Sequence, residues 1–437
     1  MTRILVVGGS LGGLFAANML LRDGHEVQVL EKSSGSLSGR GAGIVTHDAL
    51  VRALRRSGVP QEATLGVGVP GRVMLGPDGQ TLDRLDMPQV LTSWSRLHEM
   101  LMGAFPGERY HLGCAVQSVT RTSGGGQAGQ TGRAGQKGNQ ADGLRVHIDI
   151  TRAAVKEGPQ ADAAGPGDHA RQWPADLVVA ADGIRSTLRQ QLLPEVRPRY
   201  AGYVAWRGVA EESLLSACTR QTLFPYFGFC VPPREQIIGY PVAGASHDTA
   251  PGRRAYNFVW YRPVAAGPAL DHLMTDDDGV FHPQGIPPHR VSARHVAALR
   301  QDARRLLAPQ FAEVLEATAK PFFQPIFDLA SPHLQHDGVA LLGDAAFVAR
   351  PHLGFGVTKA AEDAVALADA LRQHAQVDDA LAAYEAVRRP AGEAALARAR
   401  WLGHYMEHAG DHAPADSLNP AERRHQVLHE TAIDLER

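Results

Sequence analysis

A chain of 437 residues, 44% hydrophobic and 21% charged, has the content of two packed globular domains, which excludes a disordered or fibrous protein. Its formal charge of −2, from 44 Lys and Arg against 46 Asp and Glu, offers no basic field to nucleic acid or an anionic membrane. Cys114, Cys218 and Cys230 form no Cys-x-x-Cys pair, which argues against a disulfide framework or structural zinc and suits a reducing cytoplasm. Residues 4–21 could mimic a leader, but Gly8, Gly9, Gly12 and Gly13 interrupt them, and no apolar run reaches the roughly 18 residues of a membrane span. The reading is a mature cytoplasmic protein with no nucleic-acid or membrane partner.

Residues 4–7 are an apolar run, 8–13 are glycine-rich, 14–22 carry a helical pattern and 27–30 are apolar again, so the N-terminus reads as a βαβ unit. A hairpin is expected from residues 72–75 and 81–85 around Pro77-Asp78-Gly79, then a helix over 96–105. Between residues 119 and 144 apolar content disappears and glycine recurs at Gly126, Gly129, Gly132, Gly135 and Gly138; without proline this reads as a flexible insertion, not a collagen-like repeat. A second insertion near 153–170 follows a strand at 144–150. A buried-type strand at 176–181 enters Asp182-Gly183, and residues 200–332 become aromatic with short alternating runs. Residues 339–342 enter Gly343-Asp344, and 359–372 and 380–405 are strongly helical.

The expected fold is α/β. A Rossmann-type domain takes residues 1–66, 91–198 and 333–405, with insertions near 122–143 and 153–170. A mixed-sheet substrate domain takes 67–90 and 199–332. The C-terminal helices pack back on the first domain, and 406–437 form a polar tail.

Gly8-Gly9-Ser10-Leu11-Gly12-Gly13 follows a strand and opens a helix, the setting of a GxGxxG fingerprint. Gly8 permits the tight turn, Gly13 lets helix and strand approach, and the amides around Ser10 and Leu11 suit a pyrophosphate. Glu31, with Lys32 after it, ends the next strand where a carboxylate accepts from a ribose. Ser10 replaces the middle glycine, which narrows the phosphate approach and adds a hydroxyl. The fingerprint alone leaves NAD, FAD and a ligand-free turn open.

Two further segments narrow the choice: Asp182-Gly183-Ile184-Arg185-Ser186-Thr187-Leu188-Arg189, and Gly343-Asp344 followed by Pro351, Gly354, Phe355 and Gly356 before a helix. With these three motifs in this order, the chain resembles the single-component FAD-dependent aromatic hydroxylases typified by p-hydroxybenzoate hydroxylase. The resemblance implies that fold, FAD as cofactor, and NADPH or NADH with O2 as co-substrates. It places Asp344 at a ribitol hydroxyl and the amides of residues 351–356 at the flavin pyrimidine, where with the following helix N-terminus they stabilise negative charge. It also places Arg96 near the ribityl and phosphate region, Val116 beside the adenine, and Asp182 and Gly183 at the pyrophosphate and nicotinamide nucleotide. No second fingerprint is present, so the nicotinamide nucleotide binds transiently.

More narrowly, the chain is similar to the dihydroxypyridine hydroxylase branch. The likeness lies in Leu37-Ser38-Gly39-Arg40-Gly41-Ala42-Gly43-Ile44, Thr92-Ser93-Trp94, Tyr200-Ala201-Gly202-Tyr203-Val204-Ala205-Trp206-Arg207-Gly208, Trp260-Tyr261-Arg262 and Ala349-Arg350-Pro351-His352. Arg40 is taken on the cofactor side, and the branch shares a serine in its fingerprint. Phe355 and His47 depart from the pattern at positions expected near the flavin, so the ring need not be 2,6-dihydroxypyridine.

The implied reaction is hydroxylation of a small electron-rich aromatic, expected to be a hydroxylated N-heterocycle such as a hydroxypyridine, through a flavin C4a-hydroperoxide. Favouring the ring's deprotonated form needs cationic or hydrogen-bonding groups: Arg207 and Tyr203 on the substrate side, His47 and His352 as proton-relay groups. Trp206 reads as core. His404, His408 and His412 recur every fourth residue, but no carboxylate or cysteine completes a metal site. The competing readings are an FAD-dependent reductase or dehydrogenase that yields H2O2 without product, and a non-catalytic binding protein. The resemblance makes a homodimer the expected assembly.

Overall fold

Apolar runs without polar alternation are the mark of strands covered on both faces. Here they build a six-stranded sheet in a computed structural model that describes residues 1–35, 43–60, 64–122, 143–150, 170–407 and 418–433. Its order is Gln335–His336, Val339–Leu341, Leu177–Ala180, Arg3–Val7, Glu26–Glu31 and Tyr110–Leu112, parallel throughout except for the first strand. Val6 pairs with Val29 on one side and Val179 on the other, and Val179 with Ala340. The helices Leu11–Arg22 and Gly356–Gln373 pack together, burying Leu14, Phe15, Leu20, Ala361, Ala364 and Leu367. Three strands of this sheet run into Gly8, Asp182 and Gly343, so motifs far apart in sequence meet at the carboxyl edge where open parallel sheets bind ligands.

A nine-stranded sheet stands beside it in the order Phe347–Val348, Phe322–Ala330, Arg199–Glu211, Ala255–Pro263, Gln236–Val242, Tyr226–Cys230, Val67–Leu75, Thr81–Ser93, Gly43–Val45. Its strands alternate. Val204, Trp206, Phe258 and Trp260 face the helices Ala293–Leu306 and Pro309–Ala317, whereas Tyr203, Ala205, Val259 and Tyr261 face the other way. Trp206 is thus in the core. A three-stranded sheet, Cys114–Thr122, Gly143–Ile150 and Ala170–Ala175, completes the fold; of the insertions expected near 122–143 and 153–170, residues 123–142 and 153–169 lie outside the described residues, and residues 122, 143 and 170 belong to these strands.

Two expectations change. The hairpin is longer than 72–75 and 81–85, because the pairing resumes past a register shift between Val69 and Gly71, where Pro70 has no amide to donate. The polar tail over 406–437 is corrected: Pro420–Glu430 is a helix with a capping box from Asn419 and Glu422, and it buries Val427, Leu428 and, beyond its end, Ala432. Its apolar positions are too sparse to announce a helix; tertiary anchoring supplies what periodicity lacks. Among the described residues no helix is long and apolar enough to cross a membrane.

Candidate active site

The fingerprint turn is closed from several directions. Gly8 has φ +104°, and a Cβ there would stand 2.4 Å from the Ala181 carbonyl oxygen; a Cβ on Gly13 would stand 1.9 Å from the Gly8 oxygen. Glu31 accepts from the Gly9 amide at 2.9 Å and from the Ser33 amide at 2.8 Å, so it braces the turn, a task its spacing alone did not reveal. A carboxylate keeps acceptor capacity beyond two such bonds. Tyr110 donates to the Gly9 carbonyl at 2.9 Å. Ser10 heads the helix without a side-chain cap, Leu11 is buried, and Lys32 is exposed.

The Asp-Gly and Gly-Asp turns are tied to each other by the last residue of the segment 182–189. Arg189, fully buried, donates to the Ile184 carbonyl at 2.5 Å and to the Ala345 carbonyl at 3.0 Å. Asp182 Oδ2 accepts from the Thr187 amide at 2.7 Å, while burial pushes this carboxyl up against the opposing bonds from Ser186 and the local amides. The Gly343 turn is gripped from the helix Gly356–Gln373 and, behind it, the helix Val377–Gly403. Lys359 Nζ donates to the Gly343 carbonyl at 2.9 Å, Asp363 accepts from the Gly343 amide at 3.0 Å, and Arg388 holds Asp363 at 2.7 Å. The signal available in sequence was the Lys359–Asp363 pair at i,i+4 just after the Gly-Asp segment.

Asp344 then opens onto solvent through a cleft of about 700 Å3, together with Arg185, Arg207, Gln324 and Pro351. Protein crowds its remaining sides, and this burial pushes its carboxyl up, with Lys359 opposing and Asp363 reinforcing. Among the described residues no donor pairs with it.

Across the cleft, Arg207 lies on the same face of its strand as Tyr203. Its Nε is buried without a hydrogen-bond partner, and its charge acts against the upward shift that burial imposes on Tyr240 and Tyr261, the latter standing at about 12. Tyr203 and His352 are hydrogen-bonded at 2.7 Å, both fully buried, with Tyr261 edge-on to the imidazole at 4.6 Å. Burial, then the Arg350 charge, lowers His352 to about 3, so the ring is neutral at working pH and can pass a proton only by exchanging tautomers. His47 is held elsewhere: its Nδ1 pairs with the Thr358 hydroxyl at 2.9 Å and its ring meets Phe355 edge-on at 5.6 Å.

The loop over 351–356 runs through a 3-10 turn, Pro351–Leu353, to Gly354 at φ +60° and the start of the helix at Gly356. Arg96 donates to the Thr64 carbonyl at 3.1 Å and pairs with Glu99. Val116 is buried in the three-stranded sheet opposite Ile148. Arg40 lies outside the described residues, as do His408 and His412. Among the described residues no group of His, Cys, Asp and Glu is arranged to hold a metal ion.

Residues 1–226 and 290–399 match the family described as FAD binding domain, and 200–328 match one described as FAD binding domain-like. The chain belongs to the FAD-dependent flavoprotein monooxygenases. This monooxygenase is 30% identical over 423 residues to 2,6-dihydroxypyridine 3-monooxygenase of Paenarthrobacter nicotinovorans, covering 96% of this chain and 94% of that one. It is 28% identical over 412 residues to kynurenine 3-monooxygenase of Salinispora arenicola, covering 89% and 76%. The structure of 2,6-dihydroxypyridine-3-hydroxylase from Arthrobacter nicotinovorans matches with TM-score 0.78 at 27% identity over 96% of each chain. That of Klebsiella pneumoniae HpxO with FAD and uric acid shares the fold at TM-score 0.66 and 21% identity, over 92% of this chain and 87% of that one.

The monooxygenase's own geometry fits FAD. The helix opened by the glycine turn has no side-chain cap on its N-terminal amides, Asp344 presents a carboxylate without a donor among the described residues, and a Cβ added at Gly183 or Gly356 would meet nothing within 4 Å.

Proposed function

We propose that this monooxygenase hydroxylates a small, electron-rich, hydroxylated N-heterocycle such as a hydroxypyridine, with NADH or NADPH and O2 as co-substrates. The observation that carries this reading is Arg207. It lines the cleft shared with Asp344 and Pro351, and among the described residues no carboxylate pairs with it. A desolvated guanidinium lowers the pKa of a ring hydroxyl placed against it and holds the resulting anion, whose ring carbons are more nucleophilic. Bound FAD, once reduced by the nicotinamide nucleotide, supplies the activation of O2. The chain's tasks are to seat the ring, exclude water and remove a proton. Arg207 orients the ring and stabilises its anion, and the hydrogen-bonded Tyr203 and His352, with His47 against Phe355, are the candidate proton-relay groups.

Under this reading the cofactor is held through Gly8, Ser10, Leu11, Gly13, Glu31, Lys32, Arg40, Arg96, Val116, Asp182, Gly183, Asp344, Pro351, Gly354, Phe355 and Gly356, and the nine-stranded sheet holds the substrate. The enzyme is a cytoplasmic homodimer.

The test is NAD(P)H oxidation by the purified protein against hydroxypyridines, hydroxybenzoates and urates, with H2O2 quantified. Stimulation by one ring class, with an oxygenated product and little peroxide, is expected. Oxidation matched mole for mole by peroxide with every aromatic would replace this reading with a reductase.

A further inference from the structure

Arg72, on the strand Val67–Leu75, is fully buried, and among the described residues it has no carboxylate partner. Its Nε and Nη2 donate to Gln89 Oε1 at 2.9 and 2.8 Å. The remaining bonds go to main-chain carbonyls of the C-terminal segment: Nη1 to Leu428 at 2.8 Å and Thr431 at 2.7 Å, Nη2 to Ala432 at 2.9 Å. The guanidinium lies over Phe227 and Phe229 at 5.3 and 5.6 Å. The last carbonyls of a helix lack partners within it, and here a cation gathers them at the helix end that favours positive charge.

What the cation holds reaches the cofactor loop. Ala432 has φ +52°, a conformation costly for a residue with a side chain, and it is kept there by its bonds. Its amide donates to the His352 carbonyl at 2.8 Å. Its methyl stands where a Cβ on Gly354 would come within 2.9 Å, so the segment rests directly on the glycine of the turn over 351–356. Arg72, the carbonyls of 428–432, the Ala432 amide and the His352 carbonyl therefore form one continuous hydrogen-bonded path from the large sheet to the loop.

We propose that Arg72 is a positioning residue for FAD, acting through residues 428–432 to hold the loop over 351–356 in its flavin-binding shape. The proposal rests on FAD binding at that loop, and the experiment separates the two. FAD dissociation constant, visible flavin spectrum and flavin reduction potential are measured for the full chain, for Arg72→Met, for Arg72→Lys, for a chain ending at Glu430 and for a chain ending at Ile433. The chain ending at Ile433 keeps every contact of the path and serves as the control.

Arg72→Met and the chain ending at Glu430 are each expected to weaken FAD binding about tenfold, the scale of losing buried hydrogen bonds to a charged group. Both should shift the flavin bands and potential in the same direction, with no further change when combined. Arg72→Lys, which keeps the charge but not the fork, should fall between. Should Arg72→Met fail to fold, the chain ending at Glu430 decides alone. Unchanged affinity, spectrum and potential in that chain overturn the proposal even if its melting temperature falls. A full-length chain that takes up no FAD overturns the cofactor reading itself, and the proposal with it.

Discussion

In the six-stranded sheet, Gly8, Asp182 and Gly343 lie just past the ends of parallel strands, and each turn carries a glycine at positive φ in or beside it, braced by side chains from elsewhere in the chain. In the nine-stranded sheet, Tyr203, Arg207 and Tyr261 stand on one face of long antiparallel strands, and their partners come from distant segments. Under the proposed reading the first region binds with main-chain amides whose positions follow from glycine geometry. The second would work with side chains whose positions follow from register and packing. A motif search therefore reads the cofactor side well and the substrate side poorly.

The sharpest way to break the comparison is Gly13→Ala. A methyl group would meet the Gly8 oxygen, so a destabilisation of about 4 kcal/mol or failure to fold is expected. Flavin retained on purification and urea unfolding check it; a stable yellow Gly13→Ala protein would remove the close-approach argument. Lys359→Met is next. It removes one partner of a buried pair and leaves Asp363 and the Gly343 carbonyl less satisfied, so a loss of about 3 kcal/mol is expected, read by denaturant midpoint.

Arg207→Met should behave differently from both. The expected outcome is a fall of about 100-fold in kcat/KM with FAD affinity unchanged, because the residue lines the cleft without bracing a cofactor turn. Equal losses in FAD affinity would place Arg207 on the cofactor side and blur the contrast between the sheets.

His352 tests the buried side of the large sheet through pH. Its pKa is lowered from 6.5 to about 3, so above pH 6.5 folded and unfolded chains both carry it neutral. As pH falls below that, the unfolded chain takes up a proton that the folded chain refuses, and stability drops. Between pH 7 and pH 5 this group alone should remove about 2 kcal/mol, a component absent from His352→Gln. Urea unfolding of both proteins at the two pH values measures the difference; parallel losses would show that another group governs the acid limb.

The strand-turn-helix unit at residues 4–22, the Asp-Gly and Gly-Asp turns and the alternating strands of the aromatic block were legible because each is written in adjacent residues. The cofactor and reaction class follow from the family resemblance that their order carries. Glu31 is legible at the end of its strand, but its grip on the Gly9 amide is not. Arg189, Lys359, Asp363 and Arg388 went unassigned, because an arginine in a helix gives no sign of which carbonyl it will reach.

The sequence by itself determined the turns, since a left-handed φ or a 2 Å approach admits glycine and little else. It also determined the two-sided burial of the parallel strands, because uninterrupted apolar runs tolerate no wet face. The tertiary structure alone decided the rest. Tyr203 meets His352 only because antiparallel strands and the loop over 351–356 are stacked. The segment over 418–433 packs its apolar residues against the large sheet and gives three of its carbonyls to Arg72, an arrangement that leaves no periodic trace, since main-chain acceptors are the same whatever the residue.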